Sequence, residues 1–200
     1  MNIKEHCENG QRHLYVKDLA SAHVRRWGWR WVDEFCWAHE GIPGKWANRL
    51  KNQLEPIFHF AASDKVSINH SRIEHRSDRA GGYEGKDGTT STGNVGFEGR
   101  VFSGLALPGN VLRINHGVGR DDSAKHPAKF PVELVSFFLR AFTTEGACIA
   151  DPFAGSGTSV VAAEHEGHAC MAIEISPIYC DVIVERWENL TGGKAKRSRG

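Results

Sequence analysis

Two carboxylates frame a glycine-rich turn in the last third of the sequence. Asp151 ends a short apolar run, the turn Gly155-Ser156-Gly157 follows it, and Glu174 ends a second apolar run. Glu174 lies 23 residues after Asp151 (174 − 151), close to the spacing of about 20 residues at which such an acid accepts hydrogen bonds from ribose hydroxyls. A glycine turn also lets the backbone approach a ligand at the start of a helix. These residues predict a site for an adenosine-containing cofactor.

The residues around the turn discriminate between nucleotide cofactors. A dinucleotide fingerprint needs a third small residue where this chain has Val160, and a P-loop needs a Gly-Lys-Ser/Thr sequence that this turn lacks. Asp151 would repel a pyrophosphate but suits a ligand that carries an ammonium or sulfonium group. S-adenosylmethionine has both groups and no phosphate, so it is the favoured cofactor. The alternative is a purely structural strand–turn–helix unit without a ligand.

The surrounding sequence predicts the elements that must hold this site. Apolar residues over 147–151 indicate a strand, those over 158–166 a helix, and those over 169–173 a second strand. Gly167 separates the helix from the second strand. This order is that of a βαβ unit, which binds ligands at the carboxyl ends of its strands.

Two further helices flank the predicted unit. Pro131 suits the first turn of a helix that runs through Phe142 and ends before Gly146. Ser176-Pro177 has the residue types of an N-cap and a first helical position, and the helix that follows runs to about Leu190.

The N-terminal part predicts a helix and a pair of strands. Apolar spacing indicates a helix over 16–27 that Gly28 ends, and strands over 29–38 and 55–61 that form a long-looped hairpin. A short strand is expected over 111–115. Alternate positions of the first strand carry aromatic residues, and we expect them to form one buried face rather than a base-stacking surface: Trp29, Trp31, Phe35 and Trp37.

We predict one domain divided into four segments. Residues 1–63 form the N-terminal part with the helix and strand pair, although residues 1–12 predict no element. Residues 64–100 are a polar loop with equal numbers of basic and acidic residues, either disordered or in contact with a substrate. Residues 101–191 form the cofactor-binding part. Residues 192–200 are a basic tail that is either solvated or in electrostatic contact with nucleic acid.

Composition narrows the class of protein but not its partner. The chain is 40% hydrophobic and 24% charged with a net charge of +1, which is ordinary for a globular domain and does not indicate a nucleic-acid binder. No apolar run is long enough for a transmembrane helix, and the N-terminus lacks the apolar core of a signal peptide. Five cysteines without CxxC spacing argue against structural zinc and disulfides. We therefore expect a cytoplasmic protein without a metal site.

Three stretches of the sequence resemble one enzyme family. Asp-Pro-Phe-Ala-Gly-Ser-Gly-Thr over 151–158 is similar to the cofactor motif of the DNA methyltransferases that methylate amino groups, the N4-cytosine and N6-adenine enzymes. Residues 126–131, His-Pro-Ala-Lys-Phe-Pro, resemble the segment that precedes this motif in their permuted β-type order. Glu174 and the helix after it resemble the ribose-binding acid and its helix. Residues 28–58 also resemble the strand pair of this group, so the likeness covers nearly all of the chain outside 64–100.

The resemblance implies a fold, a cofactor and a substrate. The fold would be α/β, the Rossmann-like class I S-adenosylmethionine methyltransferase fold, with a mostly parallel sheet and an antiparallel strand pair. The enzyme would methylate an exocyclic amine of double-stranded DNA, as in restriction-modification, and the choice of cytosine or adenine stays open. The resemblance assigns the cofactor to eleven residues: His126, Lys129, Phe130, Asp151, Phe153, Ala154, Gly155, Ser156, Gly157, Thr158 and Glu174.

One motif of this family has no counterpart in the sequence. Such enzymes hold the flipped base with an Asp/Asn/Ser-Pro-Pro-aromatic motif, and none of the seven prolines is adjacent to another. A helix cap explains Ser176-Pro177-Ile178-Tyr179 better than a catalytic role does. We therefore identify no catalytic residue, and we expect an N-terminally truncated enzyme whose catalytic strand is missing.

Several expectations depend on that truncation. The loss of the catalytic strand would expose the edge of the strand that ends at Asp151 and make the chain prone to aggregate. A first alternative is a non-catalytic remnant or subunit that binds cofactor or DNA and needs a partner chain or dimer for activity. A second is methylation of RNA or of a small molecule.

Overall fold

The computed structural model describes residues 1–3, 5–38, 50, 52–76, 105–114 and 130–198. Strands predominate before residue 130, and helices and strands alternate after it. In chain order they are β1 (Cys7–Glu8), β2 (Gln11–Arg12), α1 (Tyr15–Arg25), β3 (Arg30–Ala38), β4 (Leu54–Ala61), a 3-10 turn (His70–Arg72), β5 (His75–Arg76), β6 (Leu105–Ala106), β7 (Val111–Leu112), α2 (Val132–Phe142), β8 (Cys148–Asp151), α3 (Thr158–His165), β9 (Ala169–Ala172) and α4 (Pro177–Thr191).

The strand pair predicted in the N-terminal part is confirmed. Strands β3 and β4 run antiparallel, with Ala38 opposite Leu54 at one end and Arg30 opposite Ala61 at the other. Strand β7 adds to the other edge of β3 in the parallel direction, so the sheet has the order β4-β3-β7. Helix α1 packs on this sheet through Val16, which is buried against Phe58 of β4.

The aromatic residues of β3 do not share one face as expected. The register between β3 and β4 shifts between Trp31 and Asp33, which leaves one extra residue in β3. Such a bulge reverses the alternation of side chains beyond it. Trp31 therefore packs against the ring of Phe58 at 5.6 Å on the α1 side and stays 44% exposed. Phe35 lies on the opposite face and contacts Phe138 of α2 at 5.1 Å.

Helix α2 covers the face of the sheet that Phe35 occupies. The buried residues between them are Phe35, Trp37, Ile57, Leu112 and Leu134. Trp37 is only 2% exposed, and its indole N–H donates to the backbone oxygen of Ile114 at 2.9 Å. This bond satisfies a buried donor and ties β3 to the segment after β7.

The predicted strand–turn–helix–strand unit is present with nearly the predicted bounds. Strands β8 and β9 are parallel, and their register pairs Cys148 with Ala169 and Asp151 with Ala172. Helix α3 crosses between them and buries Ala162 and Ala163 against Leu139 of α2. The carboxyl ends of both strands therefore lie together at one edge, beside the start of α3.

Helix α2 also joins the two sheets. One face packs on the sheet of β3 through Leu134 and Phe138, and another face packs on α3 through Leu139 and Val135. Arg140 of α2 donates to Glu166, at the end of α3, at 3.1 Å. Among the strands that the structure describes, none connects the sheet of β8 and β9 with the sheet of β3.

The predicted loop and tail are described in part. Residues 64–76 include the 3-10 turn and strand β5, which pairs with β6, so they contain structure that the polar composition did not indicate. Residues 77–100 lie outside the described ranges. In the tail, Lys194 bonds Glu188 of α4 at 2.7 Å, so its first residues fold back on the helix. No described helix has the length and apolar character needed to cross a membrane.

Candidate cofactor site

Asp151 shapes the turn that follows β8. One carboxylate oxygen accepts the backbone N–H of Phe153 at 3.0 Å, and the other accepts the hydroxyl of Ser159 at 2.5 Å. The first bond closes a local turn of the kind that aspartate favours, and the second reaches the first turn of α3. Asp151 therefore holds both sides of the turn and places a carboxylate at the end of the strand.

The two glycines of the turn have conformations that other residues rarely adopt. Gly155 has φ +54° and Gly157 has φ +79°, both in the left-handed region. A Cβ atom on Gly157 would lie 2.8 Å from Cγ1 of Ile183, which belongs to α4. Glycine at this position thus lets α4 pack directly on the turn.

Glu174 is brought to the same turn from the second strand. One of its oxygens accepts the backbone N–H of Gly155 at 2.8 Å, and the other accepts that of Ser176 at 2.8 Å. The backbone N–H of Ala154 also donates to the oxygen of Ile173, the residue before Glu174, at 3.0 Å. Each carboxylate oxygen can accept more than one hydrogen bond. The carboxylate can therefore support the turn and also accept hydroxyl donors from a ligand.

Arg186 is a site residue that the sequence analysis missed. It lies on α4 and is buried, and its guanidinium donates to the backbone oxygen of Ser156 at 2.6 Å. The guanidinium also donates to the hydroxyl oxygen of Ser156 at 3.4 Å, so it holds this residue of the turn through two contacts. One sequence feature could have identified it: Arg186 lies three residues after Ile183, on the apolar face of the last helix, where a charged residue is unexpected.

Exposed apolar side chains flank the two carboxylates. Phe153 is 88% exposed in the turn, and Ile175, next to Glu174, is 96% exposed. Large apolar groups at such exposure beside polar acceptors are typical of a ligand site. They offer flat surface for an aromatic ring system, whereas the carboxylates offer acceptors and negative charge.

The site contains a cysteine that is unsuited to act as a nucleophile. Burial raises the pKa of the Cys170 thiol on β9, and the negative charge of Asp151 raises this pKa further. A hydrogen bond with Ser159 opposes both effects. The thiolate is the reactive form of cysteine, so Cys170 stays a neutral thiol near pH 7.

Most of the predicted cofactor residues meet in this turn. The structure brings together Asp151, Phe153, Ala154, Gly155, Ser156, Gly157, Thr158 and Glu174. Phe130 instead packs, half-buried, against the core between α2 and the sheet of β3. His126 and Lys129 lie outside the described residues. The part of the site that those three residues were expected to form stays a prediction.

Comparisons with known proteins agree on one family. A family model described as DNA methylase matches residues 2–185. The orphan methyltransferase M.BamHII of Bacillus amyloliquefaciens is 36% identical over 84 residues, which are 40% of this chain and 32% of that protein. This chain spans about half or less of the length of the first curated relatives that it matches.

Two solved structures have a similar fold. The PvuII DNA methyltransferase (cytosine-N4-specific) superposes with a TM-score of 0.70 at 19% identity, covering 93% of this chain and 62% of that one. The complex of M1.HpyAVI with S-adenosylmethionine superposes with a TM-score of 0.56 at 15% identity, covering 87% of this chain and 70% of that one. At these identities the likeness shows a shared α/β fold.

Proposed function

The chain belongs to the DNA methylase family, and from this we propose that it carries the S-adenosylmethionine site of an enzyme that methylates an exocyclic amine of a DNA base. The base amine would be N4 of cytosine or N6 of adenine. The observation that supports this proposal best is the bond between Glu174 and the backbone N–H of Gly155, because it joins the second-strand acid to the glycine turn. The solved complex of M1.HpyAVI with S-adenosylmethionine supports the choice of cofactor.

The residues of the turn fit this cofactor in charge and shape. Asp151 and Glu174 supply negative charge for a ligand that carries an ammonium and a sulfonium group. The arginine seen at the turn, Arg186, is buried, and its guanidinium donates to the backbone oxygen of Ser156. That arrangement disfavours a pyrophosphate, which needs donors that face the ligand. The exposed phenyl ring of Phe153 and the exposed side chain of Ile175 offer apolar contacts to a flat adenine.

Each residue then has a defined part in holding the cofactor. Glu174 accepts hydrogen bonds from the ribose hydroxyls, and Phe153 and Ile175 contact the adenine. Asp151 attracts the cationic end and fixes the turn through Phe153 and Ser159. S-adenosylmethionine, when bound, supplies a methyl group on a positively charged sulfur. Arg186 and Gly157 keep the turn in the shape that these contacts need.

The acceptor base requires groups that this sequence does not provide. An amine conjugated to a ring is a poor nucleophile, and a polar side chain and a carbonyl must orient its lone pair. The family's Pro-Pro-aromatic motif supplies them, and no two prolines of this chain are adjacent. We propose that a segment outside these 200 residues, in the same polypeptide or in a partner chain, binds the flipped base.

Methyl transfer to DNA tests the proposal. The chain is incubated with radiolabelled S-adenosylmethionine and duplex DNA, alone and with a polypeptide that supplies a Ser/Asp-Pro-Pro-aromatic strand, and the DNA is digested to nucleosides. We expect labelled N4-methylcytosine or N6-methyladenine only in the completed protein. Label in RNA or in a small molecule but not in DNA would contradict the proposed substrate.

A second candidate function is a cofactor-binding or DNA-binding subunit without turnover. The absence of a Pro-Pro pair from the sequence favours it for the chain in isolation. The same assay separates the two candidates through the completed protein. Label in DNA there supports the methyltransferase, whereas absence of label from DNA in the completed protein would favour the non-catalytic subunit.

A further inference from the structure

Three side chains able to ligate a metal ion lie together on the N-terminal hairpin, outside the cofactor site. They are His6, Glu8 and His13, and all three are exposed. Their ligand atoms lie within 4.8 Å of one another. The cofactor site uses none of them, and neither does the proposed reaction.

The hairpin that carries them is fixed by its turn. Asn9 has φ +48° and Gly10 has φ +80°, as a two-residue turn between antiparallel strands requires, and Asn-Gly is the sequence that most favours this turn. Beyond the turn, Glu8 pairs with Gln11 and Cys7 with Arg12. The short loop leaves little freedom for the register to slip.

This register puts the three ligands on one face. The backbone N–H of His13 donates to the oxygen of His6 at 3.0 Å, so these two residues lie directly opposite each other. Glu8 is two residues from His6 along the strand and therefore shares its face. Arg12 belongs to the opposite face, where its guanidinium bonds the carboxylate of Glu5 at 2.5 Å. A bound cation would thus be kept apart from that positive charge.

One of the three distances between ligand atoms matches that of a zinc site. Zinc bonds of about 2.0–2.2 Å to nitrogen and oxygen in a tetrahedron separate the ligand atoms by about 3.3–3.5 Å. Nε2 of His13 and a carboxylate oxygen of Glu8 already lie 3.3 Å apart. A ring nitrogen of His6 lies within 4.8 Å of both, and the His6 ring already lies beside that of His13, with 5.1 Å between the ring centroids.

We propose that His6, Glu8 and His13 form a binding site for a divalent transition-metal ion, with zinc as the ion best suited to it. Two imidazoles and one carboxylate suit zinc, whereas magnesium and calcium prefer oxygen ligands. Three protein ligands leave a fourth position for water. His13 lies two residues before Tyr15, the first residue of α1, so a bound ion would fix the hairpin close to the start of the helix.

Titration of the chelator-treated chain with zinc chloride, followed by calorimetry, tests the site. We expect one ion bound per chain at the hairpin and a higher melting temperature in its presence. We expect a zinc affinity lowered at least about tenfold in each of three variants, His6→Ala, His13→Ala and Glu8→Gln. Loss of a residue that only supports a metal ligand already lowers affinity by about tenfold or more, and loss of a ligand itself should cost at least as much. His70→Ala is the matched control, since His70 is exposed and belongs to no ligand cluster among the described residues.

Cobalt(II) separates this site from binding by the five cysteines. A cobalt ion held by imidazole and carboxylate has weak visible bands and lacks the intense near-ultraviolet charge-transfer band of a thiolate complex. We expect the weak visible bands without the thiolate charge-transfer band. We also expect the visible bands to disappear in His13→Ala. A thiolate band, no binding at all, or equal affinity in the wild type and all three variants would overturn the proposal.

Discussion

Gly157 shows how one atom decides whether the cofactor turn can form. Any other residue at this position meets two separate costs, the left-handed backbone conformation and the contact with Ile183. The isoleucine is branched at Cβ and stiff in a helix, so it cannot easily move aside. Gly167 shares the first cost, with φ +72°, but a Cβ there meets nothing within 4 Å.

The pair Gly157→Ala and Gly167→Ala separates these two costs. We expect Gly167→Ala to lower the free energy of unfolding by about 1–2 kcal/mol from backbone strain. Gly157→Ala should lower it by about 2–5 kcal/mol, because overpacking adds about 1–3 kcal/mol to that strain. Urea denaturation measures both. In an Ile183→Ala background the cost of Gly157→Ala should fall toward that of the control. Equal costs for the two single variants would show that the contact with Ile183 is unimportant.

The sequence predicts individual residues of the site well where their role is local. Asp151, the glycines and Glu174 were identified because a strand, a turn and a helix in that order fix their positions. Arg186 was missed, since its partner is the backbone of Ser156, 30 residues away. No local pattern reports a bond between the side chain of one element and the backbone of another.

Helix α4 positions the cofactor turn through two contacts from one face. Ile183 packs against Gly157, and Arg186 bonds the backbone oxygen of Ser156. The turn therefore depends on a helix that begins only after the second strand. Formation of the site requires the βαβ unit and α4 together.

Replacement of Arg186 tests this dependence. Arg186→Met keeps most of the apolar stem but leaves a buried carbonyl without this donor, which should lower the free energy of unfolding by about 1–3 kcal/mol. Affinity for S-adenosylhomocysteine should fall as well, and Arg186→Lys should recover part of both losses. Calorimetry and urea denaturation give the two quantities. Arg25→Met, at an exposed position of α1, is the control. If Arg186→Met changes stability and affinity no more than Arg25→Met does, the proposed role of α4 is contradicted.

Strand β3 shows what alternation cannot predict. Its bounds and its partner were predicted, but the extra residue near Trp31 moved that side chain to the α1 face. A bulge is set by the register against β4, which the sequence of β3 alone does not contain. The two-residue strands β5 and β6 were missed for a related reason, since they are too short for any period to appear.

Helix α2 and an ion-pair network connect the two halves of the described fold. Glu166, at the end of α3, accepts from Arg140 of α2 at 3.1 Å and from Arg72 of the 3-10 turn at 3.5 Å. Its side chain is only 11% exposed. One acid thus links the cofactor unit to α2 and to the start of the polar segment.

Glu166→Gln tests the network. The variant keeps the size of the side chain but removes its charge. We expect a loss of about 1.5–3 kcal/mol in the free energy of unfolding, the range for hydrogen bonds to charged groups. The difference from wild type should shrink in high salt, because the pairs with Arg72 and Arg140 are partly exposed. Glu185→Gln, at an exposed position of α4, is the control. If Glu166→Gln lowers the free energy of unfolding no more than Glu185→Gln does, the network does not stabilise the fold.

The separation of the two sheets bears on solubility. Among the described strands, β8 pairs only with β9, so its other edge has no described strand beside it. Unpaired edges promote association between chains. We expect sedimentation velocity to show association that grows with concentration and that decreases when a strand-supplying segment is added. A monodisperse monomer with a sharp thermal transition would contradict this.

Binding of the cofactor to this chain decides whether the turn between β8 and α3 is the site that we propose. Titration of the chain with S-adenosylmethionine and S-adenosylhomocysteine in a calorimeter should give one site per chain. Glu174→Gln should abolish that binding, because the amide keeps one acceptor but loses the charge and the second acceptor. Glu185→Gln should leave the affinity unchanged. Absence of binding by the folded chain, or equal affinity in Glu174→Gln, would contradict the account.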